Sequence, residues 1–171
     1  MTYAIVYDSR TGNTEALARA VAAALPDKGR LAFGRIGEAD VEAVAAAERV
    51  YVGFWTNRGD CTDDTAELLS SLDGKEVFLF GTCGFGADAT YFAAVVARVA
   101  MHVSESARII GTFMCQGRMP ASVRERYRQQ AETNPAQEPR MRQLIENFDA
   151  ALEHPDDHDL ACLRARVEET A

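Results

Sequence analysis

Hydrophobic residues along this chain fall into two alternating patterns. Short, nearly continuous apolar runs occupy residues 2–7, 31–33, 49–54, 76–81 and 107–114, and they read as buried strands. Between these runs, apolar residues recur at three- and four-residue intervals. Leu17, Ala20, Val21, Ala24 and Leu25 share one face of a predicted helix over 13–25, which Pro26 and Gly29 close. Further helices are expected over 39–48, 63–72 and 88–103, with Asp73 and Gly74 ending the one over 63–72. This alternation predicts an α/β fold whose parallel sheet is covered by helices on both faces. Right-handed crossovers make such a sheet doubly wound.

Residues 118–150 leave this rhythm. They hold six arginines (Arg118, Arg124, Arg126, Arg128, Arg140, Arg142), with Pro135 and Pro139 between two helical stretches. Up to Arg142 these face three glutamates (Glu125, Glu132, Glu138), a surplus of three positive charges. A last helix is expected from about Pro155 or Asp156, where acids in the first turn suit the helix dipole. The chain therefore reads as a single domain over 1–171 with a helical insertion after strand five, at about 118–150.

Composition narrows the function. Of the 171 residues, 47% are hydrophobic, enough for a sizeable core. A net charge of −8 disfavours nucleic acid and anionic membrane as partners and favours docking of a basic one. No run is long enough to span a bilayer, and no basic stretch precedes an apolar one at the N-terminus. The four cysteines (Cys61, Cys83, Cys115, Cys162) are widely spaced and form no CxxC, which points to reduced thiols and a cytoplasmic protein. His102, His154 and His158 show no ligand spacing, so no metal is expected.

The first strand runs into DSRTGNTE (8–15), a loop rich in hydroxyls that opens the first helix. Such a loop presents free backbone N–H groups at the positive end of a helix dipole. Ser9, Thr11 and Thr14 add donors, and Gly12 permits close approach. It can hold a phosphate without lysine. A P-loop is excluded, because GxxxxGK[ST] is absent. GFGADA (84–89) has the form GxGxxA, but the acid a dinucleotide site needs after the next strand is missing: that strand ends in Thr112-Phe113-Met114. Asp8 follows strand one as in a phosphoryl receiver, yet Phe54 and Trp55, then Cys115 and Gln116, stand where such a site needs an acid and a lysine.

S-x-T-G-x-T at 9–14 resembles the phosphate loop of the flavodoxin family, which binds flavin mononucleotide (FMN). GFWTNRGD (53–60) and GTCGFGAD (81–88) resemble that family's two flavin loops, and all three lie at carboxyl ends of strands. The resemblance runs from residue 1 to about 114, with the last helix as the family's closing helix. It implies a flavodoxin-like five-stranded sheet in the order 2-1-3-4-5. It also implies that Ser9, Thr11, Gly12, Asn13 and Thr14 hold the phosphate, while Arg10 faces solvent, with a phosphate contact as the alternative. Phe54, Trp55, Thr56, Asn57 and Gly59 form the first flavin loop. Trp55 stacks on the isoalloxazine, and the backbone near Asn57 and Gly59 meets N5. Thr82, Cys83 and Gly84 offer N–H groups to the flavin carbonyls. Gly86 completes that loop, and Phe85, with Tyr91 behind it, covers the outer face where the family has a tyrosine.

The implied function is electron transfer: an FMN-binding carrier, not itself an enzyme, that passes electrons to a partner redox enzyme. The alternative is an FMN-dependent NAD(P)H reductase of quinones or other small acceptors. TFMCQGRMP (112–120) resembles a subgroup of stand-alone bacterial flavodoxin-like proteins, some of which accompany a bilirubin-reducing enzyme, so a bilirubin reductase-type flavoenzyme is one expected partner. Asp60, Asp63, Asp64 and Asp88 would surround the flavin, lower its potential and steer a basic partner.

Overall fold

In the computed structural model, which describes residues 1–86 and 88–170, five strands form one sheet. They are β1 (Tyr3–Tyr7), β2 (Arg30–Arg35), β3 (Arg49–Trp55), β4 (Glu76–Cys83) and β5 (Arg108–Gln116). All pairings are parallel, and the order is β2-β1-β3-β4-β5, as the resemblance to the flavodoxin family implies. Strands β2 to β5 run further towards their carboxyl ends than the apolar runs suggest. Trp55 pairs with Thr82, and Cys83 with Gln116. The backbone ladder continues wherever a neighbour supplies partners, whatever the polarity of the side chains.

Helices α1 (Asn13–Ala24), α2 (Val41–Ala46), α3 (Asp63–Ser70) and α4 (Ala89–Ala100) fill the crossovers. The second is shorter than its Ala-rich sequence suggests. The Asp40 carboxylate accepts the N–H groups of Glu42 and Ala43 and fixes its start, and Ala47 is already extended towards β3. One apolar core lies under α2, α3 and α4 around Val52, Phe54, Leu69 and Leu79. The other lies under α1 and the last helix, α7 (Asp157–Glu168), around Ile5, Leu17, Phe80 and Leu163. At the sheet's amino end Arg49, almost fully buried, donates to Glu76 at 2.6 and 2.9 Å and to the Thr170 carbonyl at 2.5 Å.

The Arg-rich segment folds as two helices, α5 (Ala121–Thr133) and α6 (Glu138–Ala150). They pack against each other, with a 3-10 turn over Pro135–Gln137 between them. Helix α5 buries no residue, whereas α6 buries Met141 and Phe148. Much of the segment's charge closes on itself. Arg124 binds Asp149, Arg128 binds Glu125 and Glu132, and Arg142 binds Glu138. Arg118, Arg126 and Arg140 have no ion-pair partner among the described residues. Helix α7 begins with a capping box between Asp156 and Asp159.

Candidate functional site

Three loops meet at the carboxyl ends of β1, β3 and β4, and their residues interlock. In the first, Gly12 adopts φ 88° and turns the chain into α1; a Cβ there would meet nothing within 4 Å, so the dihedral alone requires glycine. The Ser9 hydroxyl accepts the N–H groups of Gly12 (3.1 Å) and Glu15 (3.3 Å). Those of Asn13 and Thr14 have no hydrogen-bond partner among the described residues, as the geometry of a helix start dictates. Thr14 is fully buried, and its hydroxyl lies 3.1 Å from that of Thr82, joining the first loop to β4. Asn13 Nδ2 donates to the Arg118 carbonyl at 2.8 Å, and its buried Oδ1 has no partner among the described residues. Thr11 is exposed. Arg10 is also exposed, but it does not simply point away: its guanidinium lies 5.7 Å from the Trp55 ring centroid. The Arg19 guanidinium beside Glu15 holds that carboxyl below the usual range, and Arg35 adds to the effect, so Glu15 leaves little uncompensated negative charge at the helix start.

In the second loop the half-buried Trp55 donates Nε1–H to Asp8 at 3.0 Å. The same carboxylate oxygen accepts the Thr62 hydroxyl at 2.7 Å. The Thr56 N–H and hydroxyl both donate to the Thr82 carbonyl at 2.9 Å. Asn57 and Asp60 exchange backbone hydrogen bonds of 2.7 and 3.0 Å around Arg58 (φ 54°) and Gly59 (φ 84°), a turn with two left-handed residues. Burial alone would raise the Asp60 carboxyl, but the Cys61 N–H (2.8 Å) and the His102 ring (3.1 Å) outweigh it and hold it below its ordinary value. Burial, with help from the Asp60 charge, pushes the Cys61 thiol up to about 12.

In the third loop the Cys83 thiol donates to the Phe85 carbonyl at 3.1 Å. Phe85 is exposed and meets Tyr91 edge-on, with 5.7 Å between ring centroids. Gly84 lies hard against Met119: a Cβ there would come within 2.4 Å of its Cγ. The Asn147 side chain brackets the loop, accepting the Gly86 N–H at 2.8 Å and donating to the Gly84 carbonyl at 2.9 Å. Ala87, in the stretch that resembles the second flavin loop, lies outside the described residues. Asp88 caps α4 by accepting the Thr90 N–H.

Among the described residues, two groups bring metal-ligating atom types within 4.8 Å of one another, Asp60–Cys61–His102 and His154–Asp156–Asp159. Hydrogen bonds account for both. The first is a carboxylate between an N–H and an imidazole, and the second is the capping box of α7 with His154 attached.

A model of the flavodoxin domain matches residues 4–168. The chain belongs to the flavodoxin family. Flavodoxins are FMN-binding electron-transfer proteins. Over 96% of its length this one is 39% identical to the flavodoxin-like domain-containing protein BilS of Clostridium symbiosum (strain WAL-14163), covering 93% of that protein. It is 24% identical to the BilS protein of Clostridioides difficile (strain CD3), with 91% of this chain and 88% of that one aligned. A solved flavodoxin from the domain Archaea shares its fold, with a TM-score of 0.57 at 16% identity across 100% of this chain and 96% of its own. No helix among the described residues is long and apolar enough to cross a membrane.

For the flavodoxin cofactor, the chain offers two open N–H groups at the start of α1, the exposed Thr11 hydroxyl and a half-buried indole. These suit a phosphate and a flat ring. Of the residues singled out from the sequence, Ser9, Thr11, Gly12, Asn13, Thr14, Trp55, Thr56, Thr82, Cys83, Gly84, Phe85 and Gly86 come together here. Asn57 and Gly59 lie on the adjoining turn. Phe54 does not reach the site: it is 0% exposed, in the core under α2–α4. Three residues outside the sequence-based set hold the flavodoxin loops in place. Asp8 and Thr62 anchor Trp55, and Asn147 anchors the third loop. Asp8 carried a visible signal, an acid at the end of strand one. Asn147 carried none, since it lies 61 residues beyond its partner Gly86.

Proposed function

We propose that this flavodoxin binds FMN at the three loops and carries electrons to a partner redox enzyme. The observation that carries the reading is the convergence of an α1 start with open N–H groups and a half-buried Trp55 pinned by Asp8. Thr11 and the N–H groups of Asn13 and Thr14 hold the phosphate. Ser9 and Thr14 shape the loop from beneath, one through its hydroxyl on Gly12 and Glu15, the other through Thr82. Trp55 and Phe85 cover the flat ring, and Arg10, over the indole, moves aside for it. In the turn at Asn57–Asp60 those two residues bond each other, so it is the Arg58 and Gly59 carbonyls, without hydrogen-bond partners among the described residues, that would accept a hydrogen bond from a ring N–H. FMN, when bound, supplies the one-electron steps, and the protein sets their potentials.

The likeness to two BilS proteins over nine-tenths of the chain supports a bilirubin reductase-type flavoenzyme as the partner. The free state of all four cysteines supports a reducing compartment, the cytoplasm. The test is binding and spectroscopy. Purified protein should show a flavin spectrum and bind FMN far more tightly than riboflavin. FMN should also quench the emission of Trp55, the sole tryptophan. Equal affinity for FMN and riboflavin removes the phosphate assignment. Rapid anaerobic reduction by NAD(P)H alone, with turnover of a quinone, replaces the carrier by a reductase.

A further inference from the structure

The flavodoxin loops do not account for the α5–α6 hairpin, which stands at their edge. We propose that its residue Asn147 is a positioning residue for the flavin site, holding the third loop in its binding shape; this rests on the FMN reading above. Asn147 is the only carboxamide that bonds to this loop among the described residues, and it uses both ends. Oδ1 accepts the Gly86 N–H at 2.8 Å, and Nδ2 donates to the Gly84 carbonyl at 2.9 Å. Gln116, the last residue of β5, donates to the same Oδ1 at 3.1 Å and so fixes which way the carboxamide faces. The amide therefore pairs with the loop as a neighbouring strand would, beyond the point where the sheet has ended.

Packing closes the bracket. Met119 fills the space over Gly84 and leaves no room for a side chain there. Phe148, the residue after Asn147, is buried and anchors α6. Asn13 ties the first loop to the same region through the Arg118 carbonyl, where the chain leaves β5. Two consequences follow for the site. The Gly86 N–H and the Gly84 carbonyl belong to Asn147, so neither is available to a ligand. The remaining groups of the loop, with the exposed Phe85 between the two anchor points, are held in place before a ligand arrives, and that lowers the ordering cost of binding.

Backbone amide exchange in the full-length apo-protein tests the clamp without any flavin. In the wild type the Gly86 N–H should be protected, and in Asn147→Ala it should exchange at least about ten-fold faster. FMN should leave Asn147→Ala about ten-fold faster, as expected when two hydrogen bonds of ordinary strength stop ordering the loop. Its affinity for inorganic phosphate should stay that of the wild type, because the first loop is held by Ser9 and Thr82. The spacing of the two one-electron midpoint potentials should also change. Arg124→Ala, which breaks the Arg124–Asp149 pair in the same hairpin, should alter none of these. An unprotected Gly86 N–H in the wild type overturns the proposal even if Asn147→Ala cannot be folded. Wild-type FMN release from a folded Asn147→Ala overturns it as well. Failure of the wild type to bind FMN removes the FMN reading instead, whatever the exchange at Gly86 shows.

Discussion

Thr11 and Thr14 look equivalent in the sequence, two hydroxyls in one phosphate-type loop, yet their surroundings differ. Thr11 is exposed, while Thr14 is fully buried against Thr82. Thr11→Ala should therefore leave urea stability within about 0.5 kcal/mol of wild type and weaken FMN binding by about 1.5–3 kcal/mol, the value of a hydrogen bond to a charged group. Thr14→Ala should destabilise the apo-protein by about 1–3 kcal/mol, since it strands the buried Thr82 hydroxyl. Urea melts and FMN titrations of the two variants separate the roles. Asp60 makes a pH statement at the same scale. Its carboxyl sits lower in the folded chain than in the unfolded one, where about 3.9 is expected. The stability it contributes is complete above about pH 5 and is lost as pH falls through the folded value. Asp60→Asn should flatten the acid limb of a stability-against-pH curve, and an unchanged limb would show that Asp60 does not titrate with folding.

At the scale of elements, the turn after β3 is the most constrained piece of the site. Its two central residues are left-handed, and one of them is Arg58, which has no glycine freedom. Gly59→Ala should cost about 1–2 kcal/mol through backbone strain. The Arg98 guanidinium near the new methyl can shift, so contact adds little. Thermal melts with and without FMN check this; a neutral substitution would mean that the turn is not held in this form in solution. The α5–α6 hairpin is the opposite case. Helix α5 has no buried residue and packs mainly on α6, so α6 is the element through which the hairpin reaches the candidate site.

Across the whole molecule, the charges sort by end and by pairing. Asp63 and Asp64, in the first turn of α3, and Asp88, before α4, are exposed at the loop end of a chain with net charge −8. Arg118 and Arg140, without ion-pair partners among the described residues, lie on the segment that Asn13 and Asn147 tie to the same end. A docking partner therefore meets both signs, which orients it more than it tightens it. Asp63→Lys with Asp64→Lys should slow electron delivery to the acceptor at low salt, and so should Arg118→Glu with Arg140→Glu. Arg124→Glu with Arg128→Glu should matter less, because those guanidinium groups are held by Asp149, Glu125 and Glu132. Stopped-flow rates against ionic strength read the difference, and rates that ignore all three pairs of changes would rule out electrostatic docking here.

The alternation of apolar runs and helical periodicity determined the β/α order, and the hydroxyl, tryptophan and glycine loops marked which end of the sheet holds the site. Those signals are local: each needs only residues a few positions apart, and period and turn chemistry act at that range. Three things came only with the tertiary structure. Phe54 leaves the loop for the core, because strand pairing runs on through Trp55 and keeps Phe54 inside β3, against the cluster under α2–α4. The Thr14 hydroxyl turns inward to Thr82, across 68 residues. The Arg-rich α5–α6 hairpin stands beside the candidate site, where Asn147 pairs with Gly84 and Gly86, 63 and 61 residues away. A contact over such distances leaves no mark in the local pattern of either partner; it exists only once the sheet has set the two segments side by side.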